Sequence, residues 1–220
     1  MKSKMIVVVT AFLGLAIVSP AQAQEVRLNV GVRGSFGVPF GEARGGTDLK
    51  DVTTRAIPVQ VDVDYRIDEH WSAGVYAIYG PVAVADATRR QLAASGLRSI
   101  GGHRQQRVGV QLTRTFRPAA RVSPWVGMAA GYDWTRYAWA KLATGEETEI
   151  GVSGFETTLQ GGASFKLTPR LAIGPFAAFD LGRYGQDIVW VQRAGNSSTG
   201  ITDKGLHQWV RFGVKMSVGF

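Results

Sequence analysis

Residues 209–220 read WVRFGVKMSVGF, and this stretch decides the fold. Apolar side chains occupy every second position from Val210 to Phe220, while the positions between them carry small or charged residues. Successive side chains of a β-strand point to opposite faces. Strict alternation over these eleven residues therefore predicts a strand with one apolar face and one polar face.

Seven further segments show the same period of two. The clearest cover residues 26–36, 57–67 and 155–167, and weaker ones cover 71–81, 105–116, 125–137 and 170–184. Three short connections alternate with four long polar ones, which cover residues 39–54, 82–104, 138–151 and 185–206. Short turns at one end and long loops at the other are typical of barrels in an outer membrane.

After residue 23, strands are the only elements predicted to cross a membrane. No apolar run approaches the about 20 residues that a membrane-spanning helix needs. Because lipid supplies no hydrogen-bond partners, strands that cross a bilayer must pair on both edges, and the sheet must close. We therefore predict an all-β fold, a closed antiparallel eight-stranded transmembrane β-barrel with short periplasmic turns and long extracellular loops.

A soluble periplasmic protein, either a β-sandwich or a lipocalin-like binder, is the alternative fold. Such a protein would bury the apolar face of each strand and expose the polar face to water. The valines at 59, 61, 214 and 218 would then form a core, with Asp62 and Lys215 in solvent. A membrane barrel requires the reverse arrangement.

The first 23 residues have the pattern of a secretory signal peptide. Lys2 and Lys4 precede an apolar run at 6–18, and residues 19–23 end in small residues that suit cleavage near Ala23. We expect residues 1–23 to be removed and residues 24–220 to form one barrel domain.

The inward positions of the predicted strands carry charged side chains of both signs. A buried charge must be paired or hydrated. We predict a polar network in the lumen that consists of Arg27, Arg33, Asp62, Asp64, Arg66, Arg107, Asp133, Glu156, Lys166, Asp180, Arg211 and Lys215. Eight strands leave room only for side chains. The lumen is therefore expected to be closed, with a narrow channel as the alternative.

Aromatic residues are expected to form two girdles around the barrel. The girdle beside the short turns would contain Tyr65, Trp71, Phe116, Trp125, Phe165 and Phe220. The girdle beside the long loops would contain Phe36, Tyr79, Trp134, Tyr137, Phe155, Phe179 and Tyr184.

Trp125 has the opposite parity to Val126, so it requires a bulge or a late strand start. Proline removes a ladder hydrogen bond, which predicts a bulge or local break at Gly174 and Pro175.

Composition excludes several classes of function. The chain contains no cysteine, and its three histidines lie far apart at 70, 103 and 207. A disulfide framework is therefore impossible, and we expect no metal site and no cofactor. The net charge of +8 does not indicate nucleic-acid binding, because many cations have inward parity and export is predicted.

The signal peptide, the eight alternating segments and residues 209–220 together resemble the small eight-stranded outer-membrane β-barrel proteins of the OmpA/OmpX kind, within the porin-like superfamily. The resemblance covers residues 24–220 and implies a place in the outer membrane of a Gram-negative bacterium, among its lipid and lipopolysaccharide. It also implies that periplasmic chaperones and the barrel-assembly machinery handle the chain. The assembly signal would consist of Phe212, Val214, Met216, Val218 and Phe220.

The family includes structural barrels, adhesins and lipid-modifying enzymes. A lipid-modifying enzyme would need a serine, a histidine and an acid at the outer rim. The candidates are His103, His207, Ser72, Ser153, Ser197 and Ser198, but no nucleophile-elbow motif accompanies them. We therefore predict a non-enzymatic protein with a structural or surface-contact role.

The second long loop is basic. Its arginines at 89, 90, 98 and 104 outnumber Asp86, and they predict either a contact with lipopolysaccharide phosphates or a solvated loop. Within this loop, Asp86 is expected to cap a short helix that runs through Leu92 and ends by Gly96.

Overall fold

The structure is a computed structural model, and it describes residues 27–44, 46–191 and 195–220. The predicted signal peptide at 1–23 lies outside these residues. In chain order the elements are β1 Leu28–Arg44, β2 Thr47–Asp48, α1 Leu49–Val52, β3 Thr53–Ala56, β4 Val59–Arg66, β5 Trp71–Val84, α2 Asp86–Ala94, β6 Leu97–Ser99, β7 Arg104–Thr115, β8 Val122–Lys141, β9 Glu147–Lys166, β10 Leu171–Val191, β11 Gly195–Gly200 and β12 Leu206–Gly219.

Eight of these strands form a closed ring. The order around the ring is β1, β4, β5, β7, β8, β9, β10 and β12, and every neighbouring pair is antiparallel. The ring closes because β12 pairs with β1 along its length, from Asn29 opposite Gly219 to Gly41 opposite His207. The predicted eight-stranded closed barrel is therefore confirmed.

The two ends of the barrel differ in their connections. At the short-turn end, residues 67–70, 116–121 and 167–170 join consecutive strands of the ring. At the long-loop end, α1 and β3 lie between β1 and β4, and α2 and β6 lie between β5 and β7. Asp86 begins α2 in its first turn, whereas Ala85 is the N-cap residue, so the predicted capping role of Asp86 is wrong. None of the helices described is long and apolar enough to cross a membrane.

Two of the predicted long loops are largely strand. β8 and β9 stay paired as far as Ala140 opposite Glu147, inside the loop predicted at 138–151. β10 likewise runs to Val191, and β11 pairs with its last residues. Both hairpins extend beyond the part of the barrel wall whose outer surface is apolar. Neither face of a strand needs to be apolar there, so the alternation of apolar and polar residues is lost although the strands remain paired.

The barrel is apolar outside and polar inside. Outward-facing Val61, Val110 and Val214 are 39%, 60% and 52% exposed, whereas inward-facing Asp62 is 1% exposed. This distribution excludes the soluble sandwich, because such a fold would bury the valines and expose the aspartate. A barrel surrounded by hydrocarbon requires this distribution, with apolar side chains outside and polar side chains inside.

Three aromatic residues predicted for the girdles lie inside the barrel. Trp125, Tyr137 and Tyr184 are all buried, and each shares the inward parity of its strand. Trp125 needs no bulge, because β8 begins at Val122 and simply turns this side chain inward with Ser123. The lumen of a small barrel must be filled by side chains, and these rings supply volume there.

The predicted break in β10 is confirmed on one edge. Pairing with β9 is interrupted at Gly174 and Pro175 and resumes at Phe176 in the same register. Pairing with β12 continues through both residues. The missing amide hydrogen of proline therefore interrupts one ladder without adding a bulge.

Candidate functional site in the barrel lumen

The lumen contains two charge clusters. The lower cluster, on the short-turn side, consists of Arg33, Asp62, Asp64 and Lys215, with Gln60, Gln111 and Gln160 between them. The upper cluster, on the long-loop side, consists of Arg107, Asp133, Glu156, Asp180, His207 and Arg211. Side chains from six or more strands meet in the two clusters, so the lumen is crossed by polar groups at two levels.

Arg33 is the centre of the lower cluster. Its Nε donates to Oδ1 of Asp62 at 2.8 Å, and its two terminal nitrogens donate to the amide oxygens of Gln160 at 2.6 Å and Gln111 at 3.2 Å. Gln111 in turn donates from Nε2 to Oδ1 of Asp64 at 2.7 Å. The guanidinium of Arg33 lies 5.4 Å from the ring of Trp125. One arginine thus bridges the interior from β1 to β9.

Lys215 completes the charge balance of the lower cluster. Its Nζ lies 3.4 Å from Oδ2 of Asp62 and 3.7 Å from Oδ2 of Asp64. Two cations therefore face two carboxylates. Because a buried ion is stable only when paired, this pairing fixes where the four side chains lie.

Arg107 is the centre of the upper cluster. Its guanidinium contacts three carboxylates: Asp133 at 3.7 Å, Asp180 at 3.3 Å, and Glu156 through Nη2 and Oε1. All four side chains are almost fully buried. Removal of Arg107 would leave three buried anions beside one remaining arginine.

Arg211 and His207 complete the upper cluster. Arg211 donates from Nε and Nη2 to the two carboxylate oxygens of Asp180, at 2.6 and 2.8 Å. Such a bidentate pair is among the stronger polar contacts in proteins. His207 Nε2 lies 3.0 Å from Oε2 of Glu156, and its ring stacks on Tyr184 at 3.9 Å.

An apolar group of side chains lies beyond the upper cluster, toward the long-loop end. We call it the apolar cap; it consists of Leu49, Ala56, Val82, Val84, Tyr137, Trp139 and Trp209. Helix α1 brings Leu49 into the cap, where the side chain is 1% exposed. Tyr137 and Trp139 reach the cap because they follow Asp133 on the inward face of β8. No pattern of alternation in the loops predicts such a cap.

Inward-facing glycines make room for the largest lumen side chains. A Cβ built on Gly131 would lie 2.5 Å from the hydroxyl of Tyr76, and one built on Gly182 would lie 2.6 Å from Nε2 of His207. Both distances are far below van der Waals contact, so glycine is required at these positions.

Replacing Gly131 with alanine is therefore expected to destabilise the barrel by about 1–3 kcal/mol, the usual cost of overpacking. The measurement is urea unfolding of the protein in lipid vesicles, followed by tryptophan fluorescence. Gly34→Ala is the matched control, because a Cβ there would meet no atom within 4 Å. Equal midpoints for the two variants would contradict the packing argument.

Nine of the twelve residues predicted for the lumen network lie in the two clusters. They are Arg33, Asp62, Asp64, Arg107, Asp133, Glu156, Asp180, Arg211 and Lys215. The other three correct the prediction. Arg27 and Arg66 are exposed, because β1 begins after Arg27 and β4 ends at Arg66. Lys166 is half-buried at the mouth of the lumen, where its Nζ donates to the carbonyl oxygen of Pro118.

Several lumen residues were absent from the predicted network. The uncharged members are Gln60, Gln111, Gln160, Tyr76, Trp125, Tyr184 and Trp209, and His207 is the titratable one. Strand parity identifies all of them: Trp209, for example, alternates with Val210 and shares a face with Arg211. They were missed because only charged residues were selected for the network, and because Trp125 and Tyr184 were assigned to the aromatic girdles.

A polar cavity of about 150 Å³ opens at the short-turn end. Its deepest lining residues include Asp64, Lys215 and Trp125, and hydroxyl groups such as that of Thr113 line its walls. Arg66, Lys166 and Arg170 also line it, nearer the mouth. The lumen is therefore accessible to water from the short-turn side as far as the lower cluster.

The candidate catalytic residues do not come together. His103 contacts Oγ of Ser99 at 2.7 Å through Nε2 and accepts the backbone N–H of Ala138 at 3.1 Å on Nδ1. Burial, and then the charge of Arg89, lower the pKa of His103 below its usual value. His207 contacts an acid but not Ser72, Ser153, Ser197 or Ser198. Among the residues described, no group of three or more His, Asp or Glu side chains is placed to hold a metal ion.

The arginines of the second long loop have different environments. Arg104 donates from Nη2 to both carboxylate oxygens of Glu149, at 3.0 and 3.1 Å. Arg89 lies 3.8 Å from Asp86, while Arg90 and Arg98 are exposed. The four arginines therefore differ in how available they are to bind an anion.

The closed ring, the apolar exterior and the charged lumen together define the fold of a small outer-membrane β-barrel. Several solved structures share it, and two of them serve as examples. Neisserial surface protein A matches with a TM-score of 0.55 and 12% identity, over 88% of this chain and 97% of that one. The outer membrane protein OprG from Pseudomonas aeruginosa matches with a TM-score of 0.50 and 11% identity, over 91% and 99% of the two chains. No protein-family model and no curated protein sequence matches the chain.

Proposed function

We propose that this chain is an integral outer-membrane protein of a Gram-negative bacterium, with a closed lumen and a non-enzymatic role in envelope structure and surface contact. The observation that carries the proposal is the inverted distribution of polarity, with exposed Val110 on the wall and buried Arg107 in the interior. The short turns would face the periplasm and the long loops the exterior, as in other barrels of this fold. Residues 212–220 would present the signal for the barrel-assembly machinery.

Three layers of side chains support a closed lumen. The lower cluster bridges the interior from β1 to β9 through Arg33 and Gln160. The upper cluster joins β7 to β10 through Arg107 and Asp180. The apolar cap follows on the long-loop side and is formed mainly by hydrocarbon and aromatic side chains. An ion would have to break paired charges and then cross an apolar layer.

Planar-bilayer conductance tests the closed lumen. Wild-type protein and the variant Leu49→Ala, which thins the apolar cap, are both expected to give no steady openings, because the two charge clusters remain. Leu206→Ala is the control, since Leu206 lies at the same end of the barrel and is exposed. Steady openings in the wild type would contradict a closed lumen.

A narrow channel is the second candidate, and the cavity at the short-turn end favours it. Water reaches Asp64 and Lys215 from that side, so the bridge made by Arg33, the upper cluster and the apolar cap separate the cavity from the loops. In that case the wild type would conduct, and Leu49→Ala would raise the open fraction while Leu206→Ala would not.

The long-loop end is the surface proposed for contact with lipopolysaccharide. Arg90 and Arg98 are exposed there, and a guanidinium binds phosphate oxygens with two parallel hydrogen bonds. Arg104 is the weakest of the four predicted residues for this role, because Glu149 already accepts two hydrogen bonds from it.

A further inference from the structure

The turn between β7 and β8 carries an unbalanced positive charge. Residues 114–121 read RTFRPAAR and contain three arginines and no acid. We call Arg114, Arg117 and Arg121 the basic tip; all three side chains are exposed. Within the residues that the structure describes, no carboxylate forms an ion pair with any of them.

Arg114 has a specific environment on the barrel wall. It faces outward on β7, in line with Val110 and Leu112, and its guanidinium lies 5.6 Å from the ring of Trp71 and 5.2 Å from that of Phe116. Both distances are within the range of a cation–π contact. A guanidinium binds phosphate oxygens through parallel N–H···O hydrogen bonds.

The neighbouring acids are engaged within their own turn. Asp68 accepts the backbone N–H groups of His70 and Trp71 at 2.7 Å each, and these bonds lower its pKa. Glu69 lies 3.4 Å from Nδ1 of His70. Neither carboxylate neutralises the basic tip.

The turn holds the basic tip in a defined shape. Oγ of Ser123 donates to the carbonyl oxygens of Arg117 and Ala120, at 3.1 and 3.2 Å. The backbone N–H of Lys166 donates to the carbonyl oxygen of Arg121 at 2.9 Å. Arg117 has a φ of 52°, a left-handed conformation that glycine adopts more easily.

We propose that the basic tip binds the anionic headgroups of phospholipids in the leaflet beside the short turns. The inference rests on the proposed function, which places this end of the barrel at the periplasmic face of the outer membrane. A lipid fits better than a soluble polymer, because Arg114 faces outward on the barrel wall and lies beside the aromatic rings of Trp71 and Phe116. Each cation near an anionic lipid surface changes binding about fivefold.

Quenching of tryptophan fluorescence by brominated lipids tests this proposal. The protein is reconstituted in phosphatidylcholine vesicles that contain either brominated phosphatidylglycerol or brominated phosphatidylcholine, and the ratio of relative binding constants is measured. The wild type is expected to prefer phosphatidylglycerol about fivefold or more. Arg114→Gln, Arg117→Gln and Arg121→Gln combined should bring the ratio near one.

The matched control removes three exposed cations from the opposite end, through Lys50→Gln, Arg55→Gln and Lys204→Gln combined. This control should keep the wild-type preference. A wild-type ratio near one, a tip variant that keeps the preference, or an equal loss in the control would each overturn the proposal. Sedimentation with isolated peptidoglycan adds a further outcome: binding that needs the basic tip, without any lipid preference, would assign the tip to that polymer instead.

A gel of unboiled samples separates failure of this inference from failure of the proposed function. A folded barrel in vesicles migrates differently from the boiled chain. If the wild type does not insert into either type of vesicle, the proposed function fails. If all proteins insert and none prefers phosphatidylglycerol, only the inference fails.

Discussion

Arg107→Met is expected to lower the free energy of unfolding by about 3–5 kcal/mol. The substitution keeps an unbranched side chain of similar length but removes the charge that faces Asp133, Glu156 and Asp180. Arg211 would be the one guanidinium left beside three buried carboxylates. A buried charge without a partner has lost its hydration and gains nothing in return, which is the source of the large effect.

Urea unfolding in lipid vesicles measures this loss, and the fraction of heat-modifiable protein gives an independent reading. The control is Arg89→Met, at an exposed arginine of α2, and it should change stability by less than about 0.5 kcal/mol. Adding Glu156→Gln to Arg107→Met should recover part of the loss, because one anion is removed. A change below about 1 kcal/mol in Arg107→Met would show that water or another cation compensates the carboxylates.

The position of each side chain relative to the barrel wall could be predicted from the sequence. Parity alone placed Asp62 and Lys215 inside and Val61 and Val214 outside, because a strand turns alternate residues to opposite faces. Where parity and residue type disagreed, parity was correct. Trp125 lies in the lumen, although its aromatic ring suggested the membrane interface.

The partners of each side chain could not be predicted in the same way. Gln160 accepts a hydrogen bond from Arg33 although 127 positions separate them in the chain. Contacts across the lumen depend on the stagger of all eight strands, and one residue of slip would change every pair. The ends of strands limit the prediction in a related way. Arg66 has inward parity, but β4 ends at this residue and its side chain is exposed.

The loop residues of the apolar cap had no signal in the sequence, for a different reason. Leu49 belongs to a helix of four residues in a segment that read as a polar loop. Its burial depends on the fold of the loop against Val82 and Trp139 rather than on any period. The strand pattern therefore predicts the wall of a barrel well, and the loop residues that close it poorly.

Val110→Arg is expected to destabilise the barrel by about 2–4 kcal/mol, the cost of an arginine facing lipid near the middle of a bilayer. The outward face of β7 is polar at both ends, at Gln106 and Arg114, and apolar between them. The nine residues from Gln106 to Arg114 match the length of a strand that crosses a membrane. Val110 lies at the centre of this stretch and is 60% exposed, so a new charge there would meet hydrocarbon.

Gln106→Arg on the same face of the same strand is the control for Val110→Arg. Residue 106 lies at the interface, so an arginine there should cost less than about 1 kcal/mol. Both variants are unfolded with urea in vesicles, and the wild type sets the reference. The difference in cost between the two substitutions shows whether the exposed valine faces lipid or water. In water, Val110→Arg would be nearly neutral, because a charge on a solvated surface costs little; a similar small effect at both positions would therefore mean that this wall of the barrel does not face lipid.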